Sequence, residues 1–380
     1  MRILKWIPLF LSLGVSAQMT NAGAIVSLTE NTQLIIDTDF INTGTLINRG
    51  TLLLRGDWQN LGVYNDTDGD LLFDGSTEQI INNNAQDIND IQILGGGRKV
   101  LIDDATINGR INFLAGKLVV QEGVSLTLGQ GVQITGAGGG NFIEGRVFRA
   151  GTGDLFFPLG SGSTYLPVTL NDVSGNEPVV GLQVFEGQPE QPKGKGLTAL
   201  STSAYWVMSA DASYSSGRIT LPYSAAESFI QDTAQVVVAQ ATAENRAFHT
   251  LGRSSLSGNS SEGVVTSAGL AIGPYFSIGY VAEIPPLPPI RVINAITPYQ
   301  DGKHDFLRIE NIELYEGNIV EIFNRNGEKV FTMENYNNQD RVFTGMSNIN
   351  GSRQLEGGTY FYTIRKGRKK VASGFIFLKY

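Results

Sequence analysis

The chain has no cysteine. That removes disulfide scaffolds, thiolate metal sites and cysteine nucleophiles at once. Histidine is nearly as scarce, with two copies, His249 and His304, far apart in sequence, which speaks against a histidine-rich zinc site. Charged side chains make up 17% of 380 residues, below the usual share of about a quarter. Long helical stripes are missing, and after the first residues no apolar run is long enough to cross about 30 Å of hydrocarbon. The chain is therefore not read as membrane-spanning.

What remains is glycine, 46 residues of it, with abundant Thr, Ser and Asn and 41% apolar residues. This mixture favours short strands joined by tight turns. The expected fold class is all-β, and the length suits two or three domains. Net charge is −8, unevenly divided. From residue 290 onward thirteen Lys and Arg face ten Asp and Glu, a balance of +3, and without the basic start at Arg2 and Lys5 the body before residue 290 carries −13. An acidic body speaks against nucleic acid as a partner.

Residues 1–17, MRILKWIPLFLSLGVSA, pair that basic start with an apolar run and end on Val15-Ser16-Ala17. Small residues at both positions read by a signal peptidase predict a secretory signal cleaved after Ala17.

Residues 18–150 are repetitive. In FINTGTLINRGTLLLRGDWQNLG, Gly44, Gly50, Gly56 and Gly62 fall six apart, and Asn42, Asn48 and Asn60 each stand two places before one of them. Short strands turning at glycine corners predict a β-solenoid, with an ordinary sandwich as the alternative. Residues 151–284 lose the repeat. Strands such as Ala204 to Met208 and Tyr275 to Val281, separated by turn residues, predict a β-sandwich. Four prolines in residues 285–289 predict a stiff linker.

Several groups invite chemistry. Asp66, Asp68 and Asp70 place carboxylates at alternating positions around Gly69, as a calcium loop does, although the downstream Glu of an EF-hand is missing. A polar turn is the plainer reading, and calcium is the one cofactor in view. Asp103-Asp104 with Arg110 could imitate the acid pair of a polysaccharide lyase or hydrolase, but neighbours on a strand point to opposite faces. Gly136 to Gly140 lacks the Lys-Ser/Thr and the helix of a phosphate loop. No HExxH or GxSxG occurs, so no catalytic residue is assigned. Trp58 and Trp206 are expected in cores.

Residues 290–380 carry the most specific pattern. Strands are expected at Phe306 to Ile309, Ile319 to Asn324, Lys329 to Phe331, Thr359 to Ile364 and Ser373 to Leu378, with an Asn326-Gly327 hairpin turn and a basic turn at Lys366–Lys370. Ala295-Ile296-Thr297-Pro298, Asp301-Gly302, Asp305-Phe306, Val320 to Arg325 with Gly327, Val330-Phe331, Leu355, Gly358 to Tyr362 and Gly374-Phe375 follow in order. In these residues the segment resembles the gliding-motility-associated C-terminal domain, the type B sorting domain of the type IX secretion system. It departs from the family pattern at Tyr299-Gln300, His304 and Asn326.

The resemblance implies an immunoglobulin-like sandwich that directs cargo across the outer membrane. It also implies two partners, the type IX secretion machinery and an outer-membrane protein of the PorP/SprF type. The function expected is that of an exported surface or secreted protein, non-catalytic, serving adhesion or structure through a surface polysaccharide or protein ligand. The alternative is a secreted carbohydrate-active enzyme built on the solenoid.

Overall fold

The computed structural model describes residues 17–380 except 67, 225, 226, 228, 229, 231, 244, 245, 283–286, 300, 350 and 368. The signal segment expected at 1–17 thus lies, but for Ala17, outside the described residues. The fold is all-β, as expected. Two 3-10 turns, Thr233–Gln235 and Ile312–Leu314, are the helical pieces among the described residues.

The N-terminal region is a parallel β-solenoid of about seven turns. Its second coil shows how the sequence dictates the shape. Strands Asp39–Asn42, Thr45–Asn48 and Thr51–Leu54 form three sides, and Trp58–Asn60 begins the next coil. Each side is four residues of strand and a corner, so a glycine every six residues marks every corner. Three sides make eighteen residues, and Phe40 duly lies beside Trp58, and Thr45 beside Val63, in parallel register. Later coils run slightly longer but keep the stacking: Lys99 pairs with Leu118, and Asp90 with both Asp70 and Arg110.

Corner glycines are fixed by space rather than by dihedral angle. A Cβ on Gly62 would lie 2.1 Å from the Gly44 carbonyl oxygen, and one on Gly44 would lie 2.2 Å from that of Ala24. The backbone of each corner rests directly on the corner below, and only glycine permits that approach.

Inward positions fill the coil interior with stacked apolar side chains, among them Phe40, Leu46, Leu52, Leu71, Phe73, Ile91, Ile111 and Leu126, each almost fully buried. Such layers supply the main driving force, about 25 cal/mol per Å² of apolar surface removed from water. The first coil is different. Among the described residues, Gln18–Asn21, Ile25–Leu28 and Gln33–Ile36 each stand at the end of their sheet, paired on one side. Met19, in register with the buried Phe40, is itself exposed.

The described chain divides into two compact units, one running to Pro189 and including Thr202–Gly217 and Gly273–Phe276, the other built from Glu190–Ser201, Arg218–Ile272 and Ser277–Tyr380. In the first unit pairing turns antiparallel where the solenoid ends. Val147–Ala150 pairs with Val179–Glu186, which pairs with Ala204–Ala210. Trp206 is buried there and donates from Nε1 to the Leu166 carbonyl at 3.3 Å.

In the second unit Val236–Ala241 is buried along its whole length and pairs with His249–Gly252. The C-terminal segment forms a five-stranded sheet in the order Ala295–Ile296, Lys369–Leu378, Gly358–Lys366, Asn318–Phe323, Lys329–Glu334, the first pair parallel and the rest antiparallel. Its core draws Ile296, Leu307, Ile309, Val320, Ile322, Tyr336, Phe343, Ile364, Ile376 and Leu378 from this one stretch of chain.

Candidate functional site

The three aspartates of the calcium reading do not stand alike. Asp66 is buried, 7% exposed, and its carboxylate accepts the Asn89 backbone N–H at 2.8 Å from the coil above. Asp68 is exposed. Asp70 accepts from Arg110 at 2.9 Å and from Gln92 at 3.2 Å. Thr67 lies outside the described residues. Among the described residues, no group of three or more His, Cys, Asp or Glu side chains is placed to hold a metal ion.

Burial pushes the Asp66 carboxyl up to about 6, with Asp90 and Asp87 adding repulsion and the Asn89 N–H opposing the rise. Between pH about 4 and about 6 the folded chain therefore holds a proton that the unfolded chain has released. Stability falls as pH rises through that window and is flat above it, by up to about 3 kcal/mol for a shift of this size. Asp66→Asn, which keeps an oxygen acceptor for Asn89, should melt with the parent at pH 4 and above it at pH 7.5. Thermal melts at the two pH values measure this, and equal melting at pH 7.5 would show that the buried charge costs nothing. A calcium arm belongs to the same experiment: stabilisation by millimolar calcium in the parent and none in Asp66→Asn would mark the run as a cation loop.

Asp103 and Asp104 tie neighbouring coils together. Asp103 accepts the Ala85 N–H at 2.7 Å and Asp104 accepts the Ser125 N–H at 2.7 Å. Arg110 is occupied elsewhere, bridging Asp70 and Asp90 at 2.9 Å each. The Asp70, Asp90, Arg110 column is a feature that residue-by-residue reading missed. Its signal was there in the twenty-residue spacing, which has meaning once the coil length is known.

Lys99 was also missed. It is fully buried, and its ammonium donates to the backbone carbonyls of Gly75 and Gly97. Burial pushes it down to about 8, with Asp74 partly offsetting. Trp58 is buried as expected. Its Nε1 donates to Asn83 Oδ1 at 3.1 Å, and its ring centroid lies 5.3 Å from Phe40 and 5.5 Å from Tyr64.

In the C-terminal module, polar side chains close loops over the core. Tyr336 donates its hydroxyl to the Leu307 carbonyl and accepts the Phe343 N–H at 3.0 Å. Burial raises its phenol well above the usual range. Asn318 accepts the Tyr336 N–H at 2.9 Å. Asp301 and Asp305 accept backbone N–H groups of Lys303 and Gly302 within their own loop. The expected hairpin turn is present: the Gly327 N–H reaches the Asn324 carbonyl at 3.0 Å, with Gly327 in the left-handed region. The Lys366–Lys370 turn joins the last two strands at the Lys366–Lys369 pair, Arg368 lying outside the described residues.

On the outward face of the module's sheet, Glu321 is buried and held by Lys329 Nζ at 2.5 Å and Arg365 at 2.9 Å. Beside this charge cluster, Phe361, Phe375 and Phe377 are about half exposed. A cleft of about 410 Å³ lies at the end of the sheet, lined by residues including Arg325, Arg353, Glu356 and Tyr360.

Against known proteins, residues 290–378 match the family model of the CHU_C type IX secretion signal domain. No curated protein matches the chain. Among solved structures, the adhesin domain of Epf from Streptococcus pyogenes aligns at 9% identity over 62% of this chain and 91% of that one. Its TM-score of 0.17 is too low to carry an argument about fold or role.

Proposed function

We propose, from the premise that residues 290–378 form a type IX secretion signal domain handled by the type IX machinery, that this protein is a non-catalytic display module of the cell surface. In this reading a signal segment at 1–17 takes the chain into the periplasm. The module at 290–380 takes it across the outer membrane and is held there by a PorP/SprF-type partner. The solenoid and the β-sandwich of residues 151–284 are then presented to a surface polysaccharide or protein ligand.

The observation that carries the export half is the match over 290–378, supported by a core drawn wholly from that stretch. Support for a non-catalytic role comes from the solenoid's acidic groups. Asp103 and Asp104 spend their carboxylates on backbone N–H groups of neighbouring coils, and Asp70 and Asp90 share Arg110. Groups so committed hold the scaffold rather than wait for substrate.

Deleting residues 290–380 should leave the body in the periplasm and lower the surface-exposed fraction at least tenfold. Appending residues 285–380 to a periplasmic reporter should bring that reporter to the surface. A truncated chain delivered as well as the parent would sink the export reading. Turnover of an acidic or neutral polysaccharide by the purified body, abolished by Asp103→Ala or Asp104→Ala, would replace the display role with an enzymatic one. The divisions at 150, 285 and 290 belong to this proposal, and limited proteolysis should cut first between 284 and 290.

A further inference from the structure

The outer face of the C-terminal sheet breaks the rule that the solvent side of an antiparallel sheet is polar. Alternation puts Ile376, Leu378, Tyr360, Tyr362, Val320 and Ile322 inside. The positions between them face out, and several are phenylalanine. Phe361 stands directly opposite Phe375 on one side and Phe323 on the other, while Phe377 stands opposite Thr359 and beside Ala295.

A row of aromatic side chains therefore crosses three adjacent strands. Phe361, Phe375 and Phe377 are 48%, 55% and 49% exposed. Each large ring buries about 150–250 Å² when covered, so half-exposed rings leave about 300 Å² of apolar surface in one place. That is the size at which patches mark contact sites.

The face itself points to the kind of partner. Glu321 is clamped between Lys329 and Arg365, so its carboxylate is spent within the module and the flank of the row keeps one surplus positive charge. An anionic group would meet that surplus at the flank, whereas the row itself offers only apolar surface for a partner to close over. The basic turn at Lys366–Lys370 lies at the far end of the hairpin. The row lies inside the segment matched as a secretion signal, and a signal carried by a folded module has to be read from its surface by a protein.

We infer that the Phe323, Phe361, Phe375, Phe377 row is the surface by which the secretion apparatus reads this module, and that its occupant is an apolar strip on an outer-membrane protein of that apparatus. The inference rests on the export reading above and deepens it. It places the recognition on the open face of the sheet rather than on the basic turn or the polar cleft.

The test uses the full chain in its secreting host. Phe361→Thr with Phe375→Thr keeps β-forming residues at exposed positions, and should lower the surface fraction at least tenfold with the protein accumulating in the periplasm. Phe361→Leu with Phe375→Leu, which keeps the surface apolar, should restore most delivery and show that the loss is not misfolding. Lys366→Gln, Lys369→Gln and Lys370→Gln together should leave delivery within twofold of the parent. Deletion of 290–380 separates the two claims: if deletion traps the chain but the Thr pair is exported normally, the face is wrong and the export reading stands. If deletion itself has no effect, the export reading has failed. A photo-crosslinking residue at position 375 should give one adduct with an outer-membrane protein of the apparatus. An adduct of twice the chain's mass would assign the face to a second copy. Lipid adducts alone would assign it to the membrane, and either result overturns the inference.

Discussion

Asn42→Ala should remove about 3–6 kcal/mol from the solenoid, a large share of the 5–15 kcal/mol typical of a whole domain. Asn42 is fully buried at a corner. Its amide donates to Asn60 Oδ1 at 2.7 Å and to the Val63 carbonyl at 3.1 Å, and its oxygen accepts from Asn21 at 2.8 Å. Asn60 continues the chain to Asn83 at 3.4 Å, where Trp58 also donates. Asn42 and Asn60 thus each satisfy the coil above and the coil below. Truncating one strands polar atoms on both sides, at about 1–3 kcal/mol for each group left unpaired in the interior.

Because coils touch only their neighbours, the damage should stay local. Hydrogen exchange should speed up across residues 18–65 while later coils keep their protection. Trp58 fluorescence, read in a Trp206→Phe background, should report an earlier transition. Asn108→Ala, which loses an exposed bond to Asp87, is the control and should change stability by no more than about 0.5 kcal/mol. Equal stability of Asn42→Ala and the parent would mean that water takes over the missing bonds and that the buried row contributes nothing.

Gly62→Ala is expected to cost at least as much as a core truncation, roughly 3 kcal/mol or more. The added methyl would sit 2.1 Å from the Gly44 oxygen and 2.9 Å from the Gly44 nitrogen. Both are backbone atoms locked in the ladder, so no side-chain rotation relieves the clash. The coil would have to lift off its neighbour at that corner, weakening the pairing of Thr45–Asn48 with Val63–Asn65. Gly140→Ala is the matched control, since open space surrounds its Cβ position. Denaturant midpoints of the two variants should differ clearly, and coincident midpoints would mean that the corner can yield.

These two positions also show how far the sequence could be read. The six-residue glycine spacing and the apolar alternation announce a solenoid because they report local geometry, namely one corner and one strand face at a time. Trp58 and Trp206 could be assigned to cores for the same reason. The asparagine row could not be assembled beforehand. Its members fall at 21, 42, 60 and 83, an uneven series that becomes a column only when coils of different lengths are stacked. Lys99 sits in an apolar run and looks like an outward strand position. What draws it inward is a pair of carbonyls, one of them on Gly75, a coil away. Asp70 and Arg110 stand in separate groups in the sequence and Asp90 in none, and register alone joins them. In the C-terminal module the strands at 319–324, 329–331, 359–364 and 373–378 and the Asn326-Gly327 turn were legible, whereas the strand expected at Phe306 to Ile309 shrinks to Ile309–Glu310. The row across three strands needed the pairing of Phe361 with Phe375 and Phe323.

The first coil, paired on one side only, gives the solenoid a direction under load. Tension applied to the strand Gln18–Asn21 meets one short ladder at a time, since the next coil begins to bear force only after the first has peeled away. Each coil that opens hands over eighteen to twenty-odd residues, or about 60–80 Å of slack at full extension. A chain fixed at its C-terminal end and tugged at the other would therefore lengthen in a staircase of near-equal steps, acting as a ratcheting shock absorber rather than snapping as one body.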